Sequence, residues 1–182
     1  MKRVSVFLAD GFEEIEALTV VDLLRRAKVY VDTVSITDEY TVRGAHGIPV
    51  QTEDLFDETD LSETDMIVLP GGMPGTTNLG AHSGVRKAVK GFYDEGKYVA
   101  AICAAPTVLS DLGILKGKRA TCYPAMEEEL QGAVLTGTAV AVDGNIITSQ
   151  GVGTAIEFAL QLIEILEGRK KALEIGQSIV YH

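Results

Sequence analysis

Along most of this chain, strand-length apolar runs alternate with stretches whose apolar residues recur at helical spacing, and that alternation leaves few architectures open. The runs fall at residues 4–9, 29–36, 66–69, 98–102 and 146–148, and the helical patterns at 13–26, 83–95, 106–112 and 154–166. In the first helical pattern Ile15, Leu18, Val21 and Leu23 or Leu24 supply the apolar repeat. Strand, helix and strand in immediate succession predict a βαβ opening, whose parallel strands need helical cover on both faces. Repeated along the chain, the pattern predicts a doubly wound α/β fold, a mostly parallel sheet between helical layers. Asp143-Gly144-Asn145 separates short runs at 139–142 and 146–148 and reads as a hairpin turn, which puts an antiparallel strand at a sheet edge. Ser83 suits a helix N-cap, and Gly168 suits the residue after a helix C-terminus, where positive φ is common. No repeat, low-complexity tract or linker interrupts the 182 residues. Residues 1–182 are therefore expected to form a single domain, long enough to bury about 70% of its unfolded surface.

Charge and cysteine content narrow the function classes. The net charge of −10 at pH 7 argues against a nucleic-acid partner, whose affinity rests on neutralising phosphates with Lys and Arg. Residues 53–65 carry acids and no bases and read as a solvated loop and helix edge. Two cysteines, Cys103 and Cys122, without a basic start leading into a long apolar stretch, fit a reducing, cytoplasmic setting and no disulfide framework. No apolar run approaches the roughly 18 residues of a membrane span, so a soluble protein is expected.

In open α/β sheets, ligands bind beyond the carboxyl ends of the strands. Three segments leave such ends here: residues 10–16, residues 70–75 and the turn at Cys103. At Cys103 an apolar strand stops on a thiol and a helix-compatible segment starts at once, the strand-turn-helix of a nucleophile elbow. The first N–H groups of such a helix can depress a thiol pKa from about 8.5 into the range of roughly 3.5–7.5. The same position also suits a packed, inert thiol, because free cysteine is among the most buried residue types. Gly71-Gly72, with the N–H of Ala104, can make an oxyanion hole; a plain tight turn is the rival reading, and the phosphate-loop pattern is absent. Glu13 and Glu14 are what a first helical turn favours, whereas Glu16, close to Ile15, Leu18 and Thr19, is a candidate to turn inward toward the strand ends. His46, His82 and His182 each suit a solvated or structural role, and none follows Cys103 in a structured segment to act as its base.

Four blocks now stand together: Asp-Gly-Phe-Glu-Glu-Ile-Glu-Ala from position 10, Val-Leu-Pro-Gly-Gly at 68–72, Ala-Ala-Ile-Cys-Ala-Ala-Pro at 100–106, and Thr-Ser-Gln-Gly-Val-Gly-Thr-Ala-Ile-Glu-Phe-Ala at 148–159. In this order the chain resembles the ThiJ/PfpI superfamily, and most closely its DJ-1-like branch. The resemblance implies a flavodoxin-like sandwich, a homodimer, and an elbow cysteine, Cys103, whose sulfur lies against a glutamate, Glu16. It implies oxyanion donors on the backbone of Gly72 and Ala104, and a pocket including Gly71 and Tyr123; Cys122, beside Tyr123, is placed to line the same pocket, but a packed, unreactive thiol is the favoured reading there. Arg26 corresponds to an arginine that approaches the site from the dimer region. Many members carry a histidine before a proline where this chain has Tyr123-Pro124, which leaves Glu16 as the main proton carrier. PfpI-type peptidases have a histidine directly after the cysteine, where Ala104 stands, and class I glutamine amidotransferases need a His-x-Glu that His182 does not supply. Peptidase and amidotransferase readings therefore fall behind.

The activity so implied is conversion of small reactive carbonyls such as methylglyoxal or glyoxal, or of glycated groups formed from them, to 2-hydroxy acids. No cofactor and no metal is expected. In this reading Cys103 attacks as a preformed thiolate beside a protonated Glu16. The alternative is an oxidative-stress sensor or chaperone in which Cys103 is oxidised to a sulfinate.

Overall fold

A computed structural model describes residues Met1–His182. Its strands are β1 (Arg3–Leu8), β2 (Tyr30–Ser35), β3 (Thr41–Arg43), β4 (Pro49–Gln51), β5 (Asp54–Leu55), β6 (Met66–Leu69), β7 (Tyr98–Ile102), β8 (Arg119–Ala120), β9 (Val134–Leu135), β10 (Val140–Asp143) and β11 (Ile146–Ser149). Its helices are α1 (Glu14–Arg26), α2 (Gly75–Ala81), α3 (Ser83–Asp94), α4 (Pro106–Asp111), α5 (Ala155–Glu167) and α6 (Arg169–Ser178). Seven strands form the central sheet in the order β10-β11-β7-β6-β1-β2-β5, with only the β10–β11 pair antiparallel. That is the doubly wound arrangement the sequence predicts, with the expected hairpin at one edge.

Strand alternation divides the core in two. Val4, Val6 and Leu8 of β1 join Val20 and Leu24 of α1 and Phe158 and Leu162 of α5, while Phe7 joins Val85 and Val89 of α3 and Leu109 of α4 on the opposite face. Because both faces are covered, β6 is buried along its whole length, which is why its sequence is uninterruptedly apolar. Each fully buried Val, Leu, Ile or Phe contributes about 1.5–3 kcal/mol of transfer free energy. No helix is long and apolar enough to cross a membrane.

Several local expectations change. Ile15 and Leu18 do not face the core; they are exposed, and the buried stripe of α1 runs through Glu16, Ala17, Val20, Leu23 and Leu24. Ser83 is the first residue of α3, and the cap is His82, whose Nδ1 accepts the N–H of Val85 at 3.1 Å. Gly168 does end α5 at φ +88°. Helix α2 escapes the periodicity argument because its sequence, Gly-Thr-Thr-Asn-Leu-Gly-Ala, is rich in poor helix formers, and it is held by burial of Thr76 and Leu79. Helix α6 is similarly silent, burying only Ala172, Ile175 and Gly176.

Candidate active site

Strands β11, β7, β6 and β1 are successive neighbours in one parallel array, so the loops leaving their carboxyl ends must meet. Strand order reverses at β1, since the chain passes to β2 on one side and to β6, β7 and β11 on the other. A crevice at such a reversal is where open α/β sheets bind ligands. Here the loop after β1 brings the first turn of α1 with Glu16, the loop after β6 brings Gly71-Gly72, β7 ends on Cys103, and β11 leads into Gly151.

Cys103 sits in the left-handed region at φ +66°, a conformation that costs a residue with a side chain about 1–2 kcal/mol. Two backbone hydrogen bonds hold it there: its N–H donates to the Ser149 carbonyl at 3.0 Å, and the Tyr123 N–H donates to its carbonyl at 2.8 Å. The result is a half-buried thiol standing clear of the sheet at the head of α4.

Glu16 is completely buried. Its Oε2 accepts the Gly71 N–H at 2.8 Å, and its Oε1 has no hydrogen-bond partner. An unpartnered buried carboxylate oxygen is costly, and its presence here marks a site poised for a proton or a ligand. Gly71 makes the approach possible: a Cβ there would lie 2.6 Å from Cys103 Cβ and 2.7 Å from Glu16 Oε2. Gly72, at φ +89°, allows its backbone to turn against Gly11, Phe12 and Glu13, with which any Cβ would collide. A methyl on Gly151 would stand 3.8 Å from Cys103 Sγ, from Glu16 Oε1 and from Tyr123 Cδ2 alike, so these three atoms converge on the Gly151 backbone.

Burial pushes the Glu16 carboxyl up to about 7, helped by the charge of Glu13 and opposed by the Gly71 N–H and by Cys103. Burial and the facing Glu16 carboxylate push the Cys103 thiol up to about 12, against the pull of the Ala104 and Gly72 N–H groups. This corrects the expectation of a thiol depressed by its helix. Helix α4 has only six residues, and its N-terminal pull is outweighed first by burial of the sulfur and then by the carboxylate against it. Near pH 7 the thiol keeps its proton while the Glu16 carboxyl is part ionised, and the buried carboxylate is the base to which the thiol can pass its proton.

The structure thus gathers Cys103, Glu16, Gly71, Gly72, Ala104 and Tyr123, leaves Arg26 outside, and gives Cys122 the packed role the sequence favours rather than a place in the pocket. Cys122 is fully buried in the core on the α3–α4 face, its thiol donating to the Tyr123 carbonyl at 3.3 Å, and burial raises it to about 11. Residue 122 packs inward while Tyr123 turns out, so adjacency in sequence puts them on opposite sides of the chain. Arg26 is paired with Asp22 at 2.7 Å at the far end of α1, ten residues or about 15 Å from Glu16. It is therefore no part of the pocket within one chain. Gly151, inside the fourth matching block, joins the site although nothing in its local sequence sets it apart from a turn glycine. Glu14 is buried rather than a solvated first-turn acid, and it clamps the Gly44–Ile48 turn by accepting the His46 N–H at 2.7 Å.

The DJ-1/PfpI family profile matches residues 2–165. Protein DJ-1 homolog B of Arabidopsis thaliana is 38% identical over 181 residues, which cover 98% of this chain but 41% of that protein. Homolog A of the same plant is also 38% identical, with 46% of its length covered, so this chain spans less than half of each plant relative. Drosophila melanogaster protein dj-1beta is 35% identical over 181 residues, covering 98% of this chain and 97% of the fly protein. Among solved structures, oxidized Toxoplasma gondii DJ-1 superposes with a TM-score of 0.96 at 36% identity, covering 100% of this chain and 99% of that one. Drosophila DJ-1beta gives 0.94 at 35% identity, covering 100% and 98%.

Proposed function

This chain belongs to the DJ-1/PfpI family, and from that premise we propose that it converts small reactive carbonyls, such as methylglyoxal, glyoxal or their early adducts, to 2-hydroxy acids by cysteine chemistry. The observation that carries the reading is the buried Glu16 carboxyl, one oxygen fixed by Gly71 and the carboxyl facing the Cys103 sulfur. A carboxyl raised to about 7 is matched to proton transfer at neutral pH.

With methylglyoxal, Cys103 Sγ bonds to the aldehyde carbon as the thiol proton passes to Glu16, and the N–H groups of Gly72 and Ala104 face the developing oxyanion. Glu16 returns that proton to the oxygen, giving a neutral hemithioacetal. It then takes the proton from the former aldehyde carbon to give an enediol, the neighbouring oxygen gaining a proton, and returns a proton to the second carbon as the hydroxyl proton on the first leaves, so that the first carbon becomes the carbonyl of a lactoyl thioester. Water cleaves the thioester to lactate and restores the thiol. One carbon is oxidised and its neighbour reduced, so the steps balance without an external electron carrier. This differs from attack by a preformed thiolate only in the starting position of the proton. Lactate formation should vanish in both Cys103→Ser and Glu16→Gln while circular dichroism stays unchanged; turnover surviving in both variants overturns the mechanism.

A second reading draws on the same sulfur. Peroxide would convert the Cys103 thiol to a sulfinate, two equivalents being reduced to water, and a protonated Glu16 would donate to the new oxygens through its unpartnered Oε1. The Toxoplasma neighbour is described as oxidized, which favours keeping this possibility. Mass spectrometry after mild peroxide should place the two added oxygens on Cys103 and none on Cys122; equal oxidation of both counts against it.

The site also bears on assembly. Ile15 and Leu18 of α1, Ile48 of the clamped turn, and Val152 and Ile156 at the head of α5 are exposed around this end of the molecule. We assign this apolar patch to a homodimer interface, and Arg26 can approach a catalytic sulfur only from a second copy. Sedimentation should give a dimer that Leu18→Glu converts to monomer; a monomeric parent protein rejects the assignment.

A further inference from the structure

Next to the nucleophile, but not part of its chemistry, three side chains converge whose spacing in the sequence gave no sign of it. Glu13 caps α1, Glu14 opens it, and His46 arrives from the turn between β3 and β4. Their ligand-type atoms all lie within 4.8 Å of one another. His46 Nδ1 stands 2.8 Å from Glu14 Oε2 and 3.6 Å from Glu13 Oε2. The backbone presets the approach: Ala45 donates its N–H to the Phe12 carbonyl at 2.8 Å, and Gly44 leaves the space that the Glu14 carboxylate fills.

The charge balance of this cluster is incomplete. Glu14 is 4% exposed, and neither it nor Glu13 has a Lys or Arg within 4.0 Å; His46 is the only basic group at that range, and it is charged only when protonated. Two carboxylates facing a lone imidazole, one of them buried, form a site that a compact divalent cation satisfies better than a proton.

We propose that Glu13, Glu14 and His46 form a divalent transition-metal site, selective for Zn²⁺-like ions over Ca²⁺ or Mg²⁺. One nitrogen and two carboxylate oxygens are the donor set of three-ligand zinc sites with an open fourth position, whereas Ca²⁺ and Mg²⁺ need more oxygen ligands. Tetrahedral zinc with bonds of about 2.0–2.2 Å holds its ligand atoms about 3.3 Å apart. The observed 2.8 and 3.6 Å from Nδ1 bracket that separation, and with the third pair of ligand atoms within 4.8 Å the set closes on an ion as the exposed His46 side chain adjusts. On binding, Nδ1 gives up any proton to solvent and coordinates through its lone pair. His46 has a mostly exposed side chain, which leaves the path from solvent open. The proposal stands independently of the carbonyl chemistry, since neither Cys103 nor Glu16 is a ligand.

The test uses the full-length chain without an affinity tag, titrated with Co²⁺ and read by the visible absorption of tetrahedral cobalt, followed by displacement with Zn²⁺. One equivalent should bind, His46→Gln should weaken binding at least about 100-fold, and Glu13→Gln should weaken it about tenfold or more. Cys103→Ser should leave the affinity within about twofold. Three results overturn the assignment: no binding up to roughly millimolar metal, binding indifferent to His46→Gln, or binding lost in Cys103→Ser, which would place the ion on the sulfur. Because His46 is exposed, its replacement leaves the fold intact, and unchanged thermal melting of the metal-free variants confirms that a lost signal is a lost ligand.

Discussion

Replacing Glu16 by Gln separates two accounts of how the Cys103 sulfur becomes reactive. Gln keeps the shape of the side chain and an oxygen for the Gly71 N–H, but it cannot take a proton from the thiol. In the parent protein, the Cys103–Glu16 pair loses its first proton near the Glu16 value of about 7, and in that monoanion the carboxylate stands ready to take the thiol proton as the sulfur attacks. In Glu16→Gln the thiol must ionise alone. It no longer feels the carboxylate that holds it at about 12, so it falls back toward its ordinary 9.0, and burial, the largest influence on it, keeps it from falling further. The midpoint of reactivity should therefore move from about 7 to 9.0 or above, roughly two pH units or about 2.7 kcal/mol. At pH 7 about half of the parent pair has a carboxylate able to take the thiol proton, whereas the variant has no such base and must rely on a thiol that ionises only near 9.0 or above, so its labelling at neutral pH should be much slower. The assay is the rate of iodoacetamide labelling of Cys103 across the neutral range, followed by intact mass, with buried Cys122 as an unlabelled internal control. If the Glu16→Gln midpoint stays near 7, a thiolate already exists beside a neutral acid, and proton transfer from sulfur to Glu16 is refuted.

Three further outcomes follow from the same contacts. The folded Glu16 carboxyl, at about 7, lies above its unfolded value near 4.5, so the folded chain binds more protons in that window and loses stability as pH rises through it. The loss is about 3 kcal/mol by pH 8, so Glu16→Gln should melt several degrees above the parent there and equal it below about pH 4; equal melting at both pH values contradicts the burial account. Gly71→Ala forces a methyl against Cys103 Cβ and Glu16 Oε2, which should cost about 1–3 kcal/mol in denaturant unfolding and slow Cys103 labelling; an unperturbed protein would mean the loop relaxes freely. Gly151→Ala places its methyl at ordinary contact distance from the sulfur, so stability should stay within about 0.5 kcal/mol while labelling by a bulky maleimide slows more than labelling by iodoacetamide. Equal slowing of both reagents argues against a narrowed opening.

The contrast between Glu16 and Cys103 shows which physical information a chain carries locally. The inward turn of Glu16 was legible, although through the wrong neighbours: Ile15 and Leu18 face outward, and the buried stripe is marked by Val20 and Leu23, four and seven residues on. Strand-length runs and helical spacing gave the sheet and its covering helices because both periods are set by the backbone and need no distant partner. The elbow was legible for the same reason, since β7, the turn and α4 are contiguous. The state of the thiol was not. A helix N-terminus is a local feature, but the carboxylate that overrides it comes from another strand-helix unit, and only the parallel register of β1, β6 and β7 makes them neighbours. The clamp of His46 on Glu14 obeys the same rule, being a pairing between a turn and a helix start that no spacing in the sequence encodes. Residues whose environment is built by sheet order are thus those whose chemistry a sequence misjudges. In this protein that group includes the Cys103 thiol and the three proposed metal ligands, whereas Glu16, whose burial its own helix sets, is legible in the sequence.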